Sequence, residues 1–184
     1  MSVEKRNVLT LLENGQLKTY LLDDQLSWEV GRESINSNPD IKLRSITVSR
    51  KHGKFQNING NWLYVDYNGK NGTVYNNKKV ETGLKGKIKP IILNDGDVLV
   101  FGGGDKIIIN TNTVFTFFST KKFTENWDAV DTKGLQKIEL NDGCESIILE
   151  KPEKGEVINN DNGVAIYMGD VTYLSGNMNL MSVK

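Results

Sequence analysis

Residues 53–66 read GKFQNINGNWLYVD, two runs with strand character on either side of Asn59-Gly60. An Asn-Gly pair tolerates positive φ at both positions and closes two-residue hairpins. In the second run Trp62 and Tyr64 lie on one face of the strand, and the residues between them lie on the other. The stretch therefore predicts a β-hairpin whose aromatic face packs into a core rather than stacking on nucleic-acid bases.

The same pattern continues in both directions from this hairpin. Asn-Gly or Asp-Gly pairs recur at positions 14–15, 68–69, 71–72, 95–96, 142–143 and 162–163. Short runs rich in β-branched and aromatic residues lie between them, which is typical of an all-β sandwich or barrel. Besides a strand that ends at Val30, the predicted strands are 8–12, 17–22, 53–57, 62–66, 73–75, 91–93, 98–101, 107–109, 114–118, 135–140, 146–150, 156–159, 164–168, 171–174 and 177–181.

One segment breaks the β pattern and suggests a domain boundary. Residues 119–133 are the best candidate for a short helix or a loop, in which Thr124 caps a helical turn over 125–130. Residues 31–89 hold twelve basic and four acidic residues, a net charge of +8, whereas residues 121–184 hold seven basic and eleven acidic ones, a net charge of −4. We therefore predict a first domain at 1–120 and a small β-rich extension, or part of a second domain, at 121–184.

The composition excludes several classes of site. The 184 residues contain one cysteine, Cys144, and one histidine, His52, which allow neither an internal disulfide nor a common zinc site. We expect Cys144 to be a buried, inert thiol, His52 to be a buried hydrogen-bonded side chain, and the protein to need no metal or cofactor. No apolar run is long enough to cross a membrane, and no signal core follows Met1–Arg6, so we predict a cytoplasmic protein without membrane insertion.

Enzyme motifs are also absent from the sequence. Ser49 does not lie in a Gly-x-Ser-x-Gly elbow. The glycines at 102–104 lack the Gly-Lys-Ser/Thr ending of a phosphate-binding loop and are expected to form a turn. The lysine-rich stretch 85–89 is expected to be a solvated loop rather than a nucleic-acid contact. We therefore predict that the chain is not an enzyme.

Four motifs follow one another along the first domain, and the first three fall at strand ends. They are Gly31-Arg32, Ser49-Arg50-Lys51-His52, Asn71-Gly72-Thr73 and the segment 93–102, LNDGDVLVFG. Loops at one end of a sandwich bring such side chains together on a rigid support. Phosphothreonine carries nearly two negative charges, which a guanidinium fork, a hydroxyl and an amide bind well. Arg32, Ser49, Arg50 and Asn71 supply this set.

Because these motifs occur in this order, the segment from about residue 7 to residue 120 resembles the forkhead-associated (FHA) family. The resemblance implies a β-sandwich of about 11 short strands and a non-enzymatic phosphothreonine-recognition module. It implies that Arg32 contacts phosphate or orients the site, that Ser49 donates its hydroxyl to a phosphate oxygen, and that Asn71 holds the peptide main chain. Arg50 is at a variable position that often contacts phosphate. The remaining matching residues, Gly31, His52 and Gly72, are implied to shape the loops.

Two positions depart from the family pattern. Lys70 stands where many members have Ser or Thr before Asn-Gly, and it either reaches the phosphate or is solvated. Thr47 lies in the loop that, by the resemblance, helps to select the third residue after the phosphothreonine. It carries no charge, so no strong acidic preference is expected from Thr47 itself, although Lys42 and Arg44 lie nearby.

The predicted partner is a threonine-phosphorylated protein in kinase-linked signalling or regulation, with no nucleic acid involved. The alternative is a scaffolding or regulatory segment of a larger bacterial assembly, such as a secretion ATPase, without phosphate-dependent binding. The Lys-, Asn- and Ile-rich composition fits a bacterial source with low genomic GC content. Nucleic-acid binding by the basic stretch is a third possibility, and steep salt dependence would reveal it.

Overall fold

The chain divides into two compact units, Met1–Lys121 and Lys122–Lys184, each of which is described by itself. The computed structural model describes residues 6–80, 89–102, 113–143 and 145–181. The predicted strand 107–109, glycines 103–104, residues 85–88 and Cys144 lie outside these ranges. Within them, no helix has both the length and the apolar character that a membrane crossing requires.

The described part of the first unit forms two sheets. Its strands are β1 (Val8–Glu13), β2 (Gln16–Leu21), β3 (Ser27–Arg32), β4 (Ile41–Leu43), β5 (Gly53–Ile58), β6 (Asn61–Asp66), β7 (Thr73–Tyr75), β8 (Lys78–Lys79), β9 (Ile91–Ile92), β10 (Val98–Phe101) and β11 (Val114–Ser119). Six of them pair in the order β2-β1-β11-β10-β7-β8, and five pair in the order β4-β3-β5-β6-β9. A 3-10 turn, Leu22–Asp24, lies between β2 and β3.

The core of this unit draws its side chains from both sheets. Leu11 and Phe101 of the six-stranded sheet belong to the same buried cluster as Phe55 and Tyr64 of the five-stranded sheet. The Tyr64 ring is 5.1 Å from that of Phe55 and 5.5 Å from that of Phe101, centre to centre, which are distances of favourable aromatic packing. The prediction of an all-β sandwich is confirmed, and so is the core position of Trp62 and Tyr64, which are 2% and 0% exposed.

Asn-Gly turns set the register of two hairpins. Asn14-Gly15 joins β1 to β2 with Glu13 opposite Gln16, and Asn59-Gly60 joins β5 to β6 with Ile58 opposite Asn61. All four turn residues have positive φ, as the sequence predicted. A third hairpin, between β7 and β8, uses Asn76-Asn77, also at positive φ, and the sequence analysis did not foresee it.

The end of β3 differs from the prediction. The strand does not end at Val30 but continues through Gly31 to Arg32. The extra length arises because β4, a strand of three residues absent from the prediction, pairs in parallel with these positions. Arg32 is therefore the last residue of a strand that is paired on both sides at Val30, which gives its backbone a rigid support.

The second unit is also built from strands. They are β12 (Asp128–Asp131), β13 (Lys137–Asn141), β14 (Ser146–Glu150), β15 (Glu156–Asn160), β16 (Gly163–Tyr167), β17 (Val171–Gly176) and β18 (Asn179–Met181). They pair in two sheets, β12-β17-β16-β15 and β14-β13-β18, and Ile138, Leu140 and Leu174 belong to a common core.

The predicted helical turn over 125–130 is wrong. Lys122–Glu125 forms a single 3-10 turn, and β12 follows it. The backbone of β12 pairs antiparallel with β17, from Asp128 opposite Leu174 to Asp131 opposite Val171. Thr124 is fully buried within the turn. A distant strand thus supplies the hydrogen bonds that a local helix would have supplied, which the local sequence does not reveal.

Candidate functional site

Arg32 and Ser49 are brought together through the backbone. The amide of Arg32 donates to the carbonyl of Ser49 at 3.0 Å, so the end of β3 is tied to the 44–52 loop, which joins β4 to β5. The approach is so close that a Cβ at Gly31 would lie 1.9 Å from the carbonyl oxygen of Arg50. Only glycine fits at position 31, because any larger residue would force these backbones apart. Both Arg32 and Ser49 are partly exposed to solvent.

Ser49 also meets the 67–72 loop, which joins β6 to β7. A Cβ at Gly69 would lie 2.5 Å from the Ser49 Oγ and 3.2 Å from the His52 Nδ1. Glycine at position 69 therefore allows this loop to pass directly beside the serine hydroxyl. The Asn68-Gly69 pair in the sequence indicates only a turn, and no sequence signal marks this second role of Gly69.

Asn71 ties the same two loops together. Its side-chain Nδ2 donates to the carbonyl of Thr47 at 3.0 Å. The adjacent Gly72 has a φ of 78°, in the left-handed region that favours glycine, and its carbonyl accepts from the amide of Gly102 at 3.1 Å. A Cβ at Gly102 would lie 2.2 Å from the Thr47 Oγ1, so the end of β10 closes against the 44–52 loop.

Beneath the rim, a buried chain of hydrogen bonds starts at Ser49. Its amide donates to the Nδ1 of His52 at 3.2 Å, so the ring proton lies on Nε2, which is 2.8 Å from the Thr73 Oγ1. The Thr73 hydroxyl donates to the Asp66 Oδ1 at 2.6 Å, and the Tyr64 hydroxyl donates to the same oxygen at 2.8 Å. The predicted buried, hydrogen-bonded histidine is therefore present.

These hydrogen bonds require His52 to be neutral. The side chain is fully buried, and this burial lowers its pKa, against the opposing attraction of Asp66 and a hydrogen bond to the Gly72 backbone. A neutral ring accepts at Nδ1 and donates at Nε2, as both contacts need. His52 thus holds the Ser49 backbone in place and does not face the solvent-exposed rim.

The two predicted flanking cations, Arg50 and Lys70, are exposed at the loop tips. The carbonyl of Arg50 accepts from the Ser37 Oγ at 3.4 Å, while Lys70 lies between Gly69 and Asn71. In the part of the chain that the structure describes, no carboxylate pairs with the guanidinium of Arg32 or Arg50. Both guanidinium groups therefore keep their donors for an external anion.

Comparison with known proteins relates the segment that carries these residues to a known domain family. Residues 28–102, from β3 to the end of β10, match the family model described as the FHA domain. The chain contains an FHA domain. An FHA domain-containing protein of Arabidopsis thaliana is 30% identical over 87 residues, which are 47% of this chain. That match spans 21% of the plant protein, so the similarity is to about a fifth of its length.

Solved structures similar to the chain include two FHA domains and a splicing factor. The yeast splicing factor Pml1 is 24% identical, with 62% of this chain and 79% of that chain covered and a TM-score of 0.49. An FHA domain from a study of phosphothreonine-dependent interactions is 25% identical, with 61% and 95% covered and a TM-score of 0.44. The FHA domain of a Chlamydia trachomatis protein is 22% identical, with 63% and 98% covered and a TM-score of 0.48.

Glu13, which the sequence analysis missed, supports the 44–52 loop of the FHA domain. Its carboxylate, at the end of β1, accepts from the amide of Arg44 at 2.9 and 3.1 Å and from the amide of Ser45 at 3.0 Å. Further along, the Ser45 Oγ lies 2.9 Å from the Thr47 Oγ1. The loop is thus anchored at Glu13 on one side and at Asn71 on the other. No sequence signal marks Glu13, because it lies 31 positions before Arg44.

We expect Glu13→Ala to weaken the binding of an anionic ligand at this rim about three- to tenfold, because a loop without its anchor must be ordered when the ligand binds. Glu13→Gln should lose less, since its amide oxygen still accepts one hydrogen bond. Asp24→Ala, at an exposed acid in the same unit, is the matched control. Titration calorimetry gives the affinities, and amide exchange at Arg44 and Ser45 gives the loop order. Unchanged exchange at both amides would contradict a positioning role.

The described residues contain no group of three or more His, Cys, Asp or Glu side chains that could hold a metal ion. The charges at the rim are instead cationic side chains, with serine, threonine and asparagine groups around them. Such a set binds an anion by charge-assisted hydrogen bonds. The chemistry available at this rim is therefore binding of an anionic group.

Proposed function

We propose that the first unit is a recognition module that binds proteins phosphorylated on threonine. The observation that carries the proposal is the convergence of the end of β3 with two loops, 44–52 and 67–72, at one rim. The amide of Arg32 is bonded to Ser49, Gly69 passes beside the Ser49 hydroxyl, and Asn71 is bonded to Thr47. The family match supports it, since the matched segment 28–102 contains Arg32, Ser49, Arg50 and Asn71.

In the proposed complex each side chain has a separate task. The guanidinium of Arg32 and the hydroxyl of Ser49 donate to phosphate oxygens, and Arg50 adds a second cation from the exposed side. Asn71 positions the peptide main chain next to the phosphothreonine through its amide group, and Lys70 adds positive charge at the rim. The partner is thus a protein modified by a Ser/Thr kinase, and the module performs no chemistry on it.

The test is a screen against a library of phosphothreonine peptides, with the same peptides unmodified or carrying phosphoserine. We expect binding only when phosphate is present. The threonine methyl, buried beside Asn71, should favour phosphothreonine over phosphoserine by about fourfold, the value of one buried methyl group of about 0.8 kcal/mol.

Two outcomes would contradict the proposal. Binding that ignores peptide phosphorylation would support a scaffolding segment instead. Binding to nucleic acid that weakens steeply as the salt concentration rises would indicate instead that the +8 stretch at 31–89 binds a polyanion. Equal affinity for phosphothreonine and phosphoserine would refute only the burial of the threonine methyl beside Asn71.

A further inference from the structure

A groove of about 570 Å³ lies beside the phosphate site and has no role so far. Its walls are formed by Glu29 and Val30 of β3, by residues 36–39, by Arg50 and Lys51, and by Tyr67. We call it the side groove. Its volume falls within the range of sites that hold small ligands or several peptide side chains.

The side groove is continuous with the proposed phosphate site through Arg50. This residue follows Ser49 directly, and its carbonyl accepts from the Ser37 Oγ at 3.4 Å, which brings the 36–39 wall against the 44–52 loop. An extended peptide advances about 3.3 Å per residue. A peptide that has its phosphothreonine beside Ser49 and runs towards Arg50 therefore reaches the side groove within a few residues.

The charge of the side groove favours an anion. Arg50 and Lys51 contribute two cations, and among the described residues neither has a carboxylate partner. The one opposing charge in the lining is Glu29, whose carboxylate accepts from the Tyr67 hydroxyl, which lies 2.9 Å from each of its oxygens. Beside the groove, Lys54 stands opposite Glu29 in the β3–β5 pairing, and the Asp40 Oδ2 accepts from the Glu29 amide at 2.8 Å, so one further cation and one further acid balance each other there.

Tyr67 adds no negative charge to the side groove at physiological pH. Burial and the hydrogen bond to Glu29 raise the pKa of Tyr67 to about 12. The phenol therefore remains a neutral donor to Glu29, and the lining keeps one negative charge against the two positive charges of Arg50 and Lys51. The remaining positive charge faces the open side of the groove, where Arg50 and Lys51 are exposed.

We propose that the side groove binds a second anionic side chain of the same partner, either an acidic residue or a second phosphorylated residue. This inference rests on the proposed function, because the phosphothreonine beside Ser49 sets the position of the peptide. Lys51 is the specificity-determining residue, and Arg50 is shared between the two anions. The partner class is therefore an acidic or doubly phosphorylated segment around the phosphothreonine.

The experiment uses the full chain and peptides that carry one phosphothreonine, in which glutamine, glutamate or phosphoserine is placed in turn at each flanking position. We expect one position at which glutamate raises the affinity about two- to fivefold over glutamine. Phosphoserine should raise it further there, because its charge is nearly doubled. Comparison of these two arms shows which anion the groove prefers.

Three variants separate the side groove from general charge effects. Lys51→Gln should abolish the gain from the second anion and leave the affinity for the glutamine peptide unchanged. Glu29→Gln should increase the gain, since it removes the opposing charge but keeps an acceptor for Tyr67. Lys18→Gln, at an exposed lysine on β2, should change neither affinity.

The failures of the two proposals are distinguishable. If no singly phosphorylated peptide binds, the proposed function fails, and this inference fails with it. If such peptides bind but no position shows a gain from a second anion, only the side groove is refuted. Equal losses in the Lys51→Gln and Lys18→Gln variants would also refute it, because the gain would then reflect net charge.

Discussion

Replacing Arg32 with alanine should weaken phosphothreonine-peptide binding by roughly ten- to 150-fold. A hydrogen bond between charged groups contributes about 1.5–3 kcal/mol, which corresponds to this range of affinity. Arg32 is suited to the task because no carboxylate among the described residues competes for its guanidinium. Its backbone amide, which holds Ser49 at 3.0 Å, remains in the alanine variant. The loss should therefore appear in binding and not in folding.

Titration calorimetry with one phosphothreonine peptide measures this effect, and thermal unfolding without peptide shows whether the fold is retained. Arg32→Lys should give an intermediate loss, because an ammonium keeps the charge but lacks the planar fork of donors. Lys18→Ala, which removes an exposed cation from β2, is the control for net charge. An unchanged affinity in a folded Arg32→Ala variant would refute the assignment of the site.

The sequence predicted the parts of the fold that depend on local chemistry. Asn14-Gly15 and Asn59-Gly60 closed hairpins as expected, because their positive φ values are specified by the residues themselves. The alternation along β6 likewise predicted that Trp62 and Tyr64 face the core. Both signals reside within a few neighbouring residues, so no knowledge of distant contacts was needed.

The errors arose where pairing with a distant strand decided the structure. A helical turn was predicted over residues 125–130, yet from Asp128 onwards the chain forms β12, whose last residue, Asp131, stands opposite Val171 of β17. These two residues are 40 positions apart in the chain, a separation that no local pattern encodes. β4 was missed for the same reason, because its three residues form a strand only beside β3.

The candidate site divides in the same way. The residues with recognisable chemistry and spacing, Arg32, Ser49 and Asn71, were singled out from the sequence, and the structure brings their loops together. Glu13 and Gly69 were not singled out from the sequence. One is an ordinary acid at a strand end and the other a turn glycine, and each acquires its role only when separate segments of the chain meet. Groups that could face a ligand are thus easier to identify from the sequence than the groups that hold them in place.

Replacing Asp66 with alanine should lower the free energy of unfolding by about 3–5 kcal/mol, a large part of the stability of an ordinary domain. The carboxylate is 6% exposed and accepts from three donors, the hydroxyls of Tyr64 and Thr73 and the amide of Asn68. Alanine would leave these donors without their acceptor, two of them on buried side chains. Urea unfolding followed by tryptophan fluorescence measures the loss.

Two comparisons test the cause of that loss. Asp66→Asn should be less destabilising, because its amide oxygen still accepts, whereas Asp24→Ala at an exposed acid should change little. In a Tyr64→Phe background, Asp66→Ala should lower the free energy of unfolding by about 1 kcal/mol less than in the wild type, because one of the donors that would lose its acceptor is already absent. Strictly additive losses would contradict the shared hydrogen bond.

The Asp66→Ala variant also connects the stability of the fold to ligand recognition. Thr73 donates to Asp66 and contacts the Nε2 of His52, whose Nδ1 accepts from the amide of Ser49. Without the carboxylate, the Thr73 hydroxyl is free to turn, and the His52 ring loses the partner that fixes its orientation. Asp66→Ala should therefore weaken phosphopeptide binding even under conditions in which the variant is fully folded. Unchanged affinity in the folded variant would show that Asp66 supports the sandwich but not the position of Ser49.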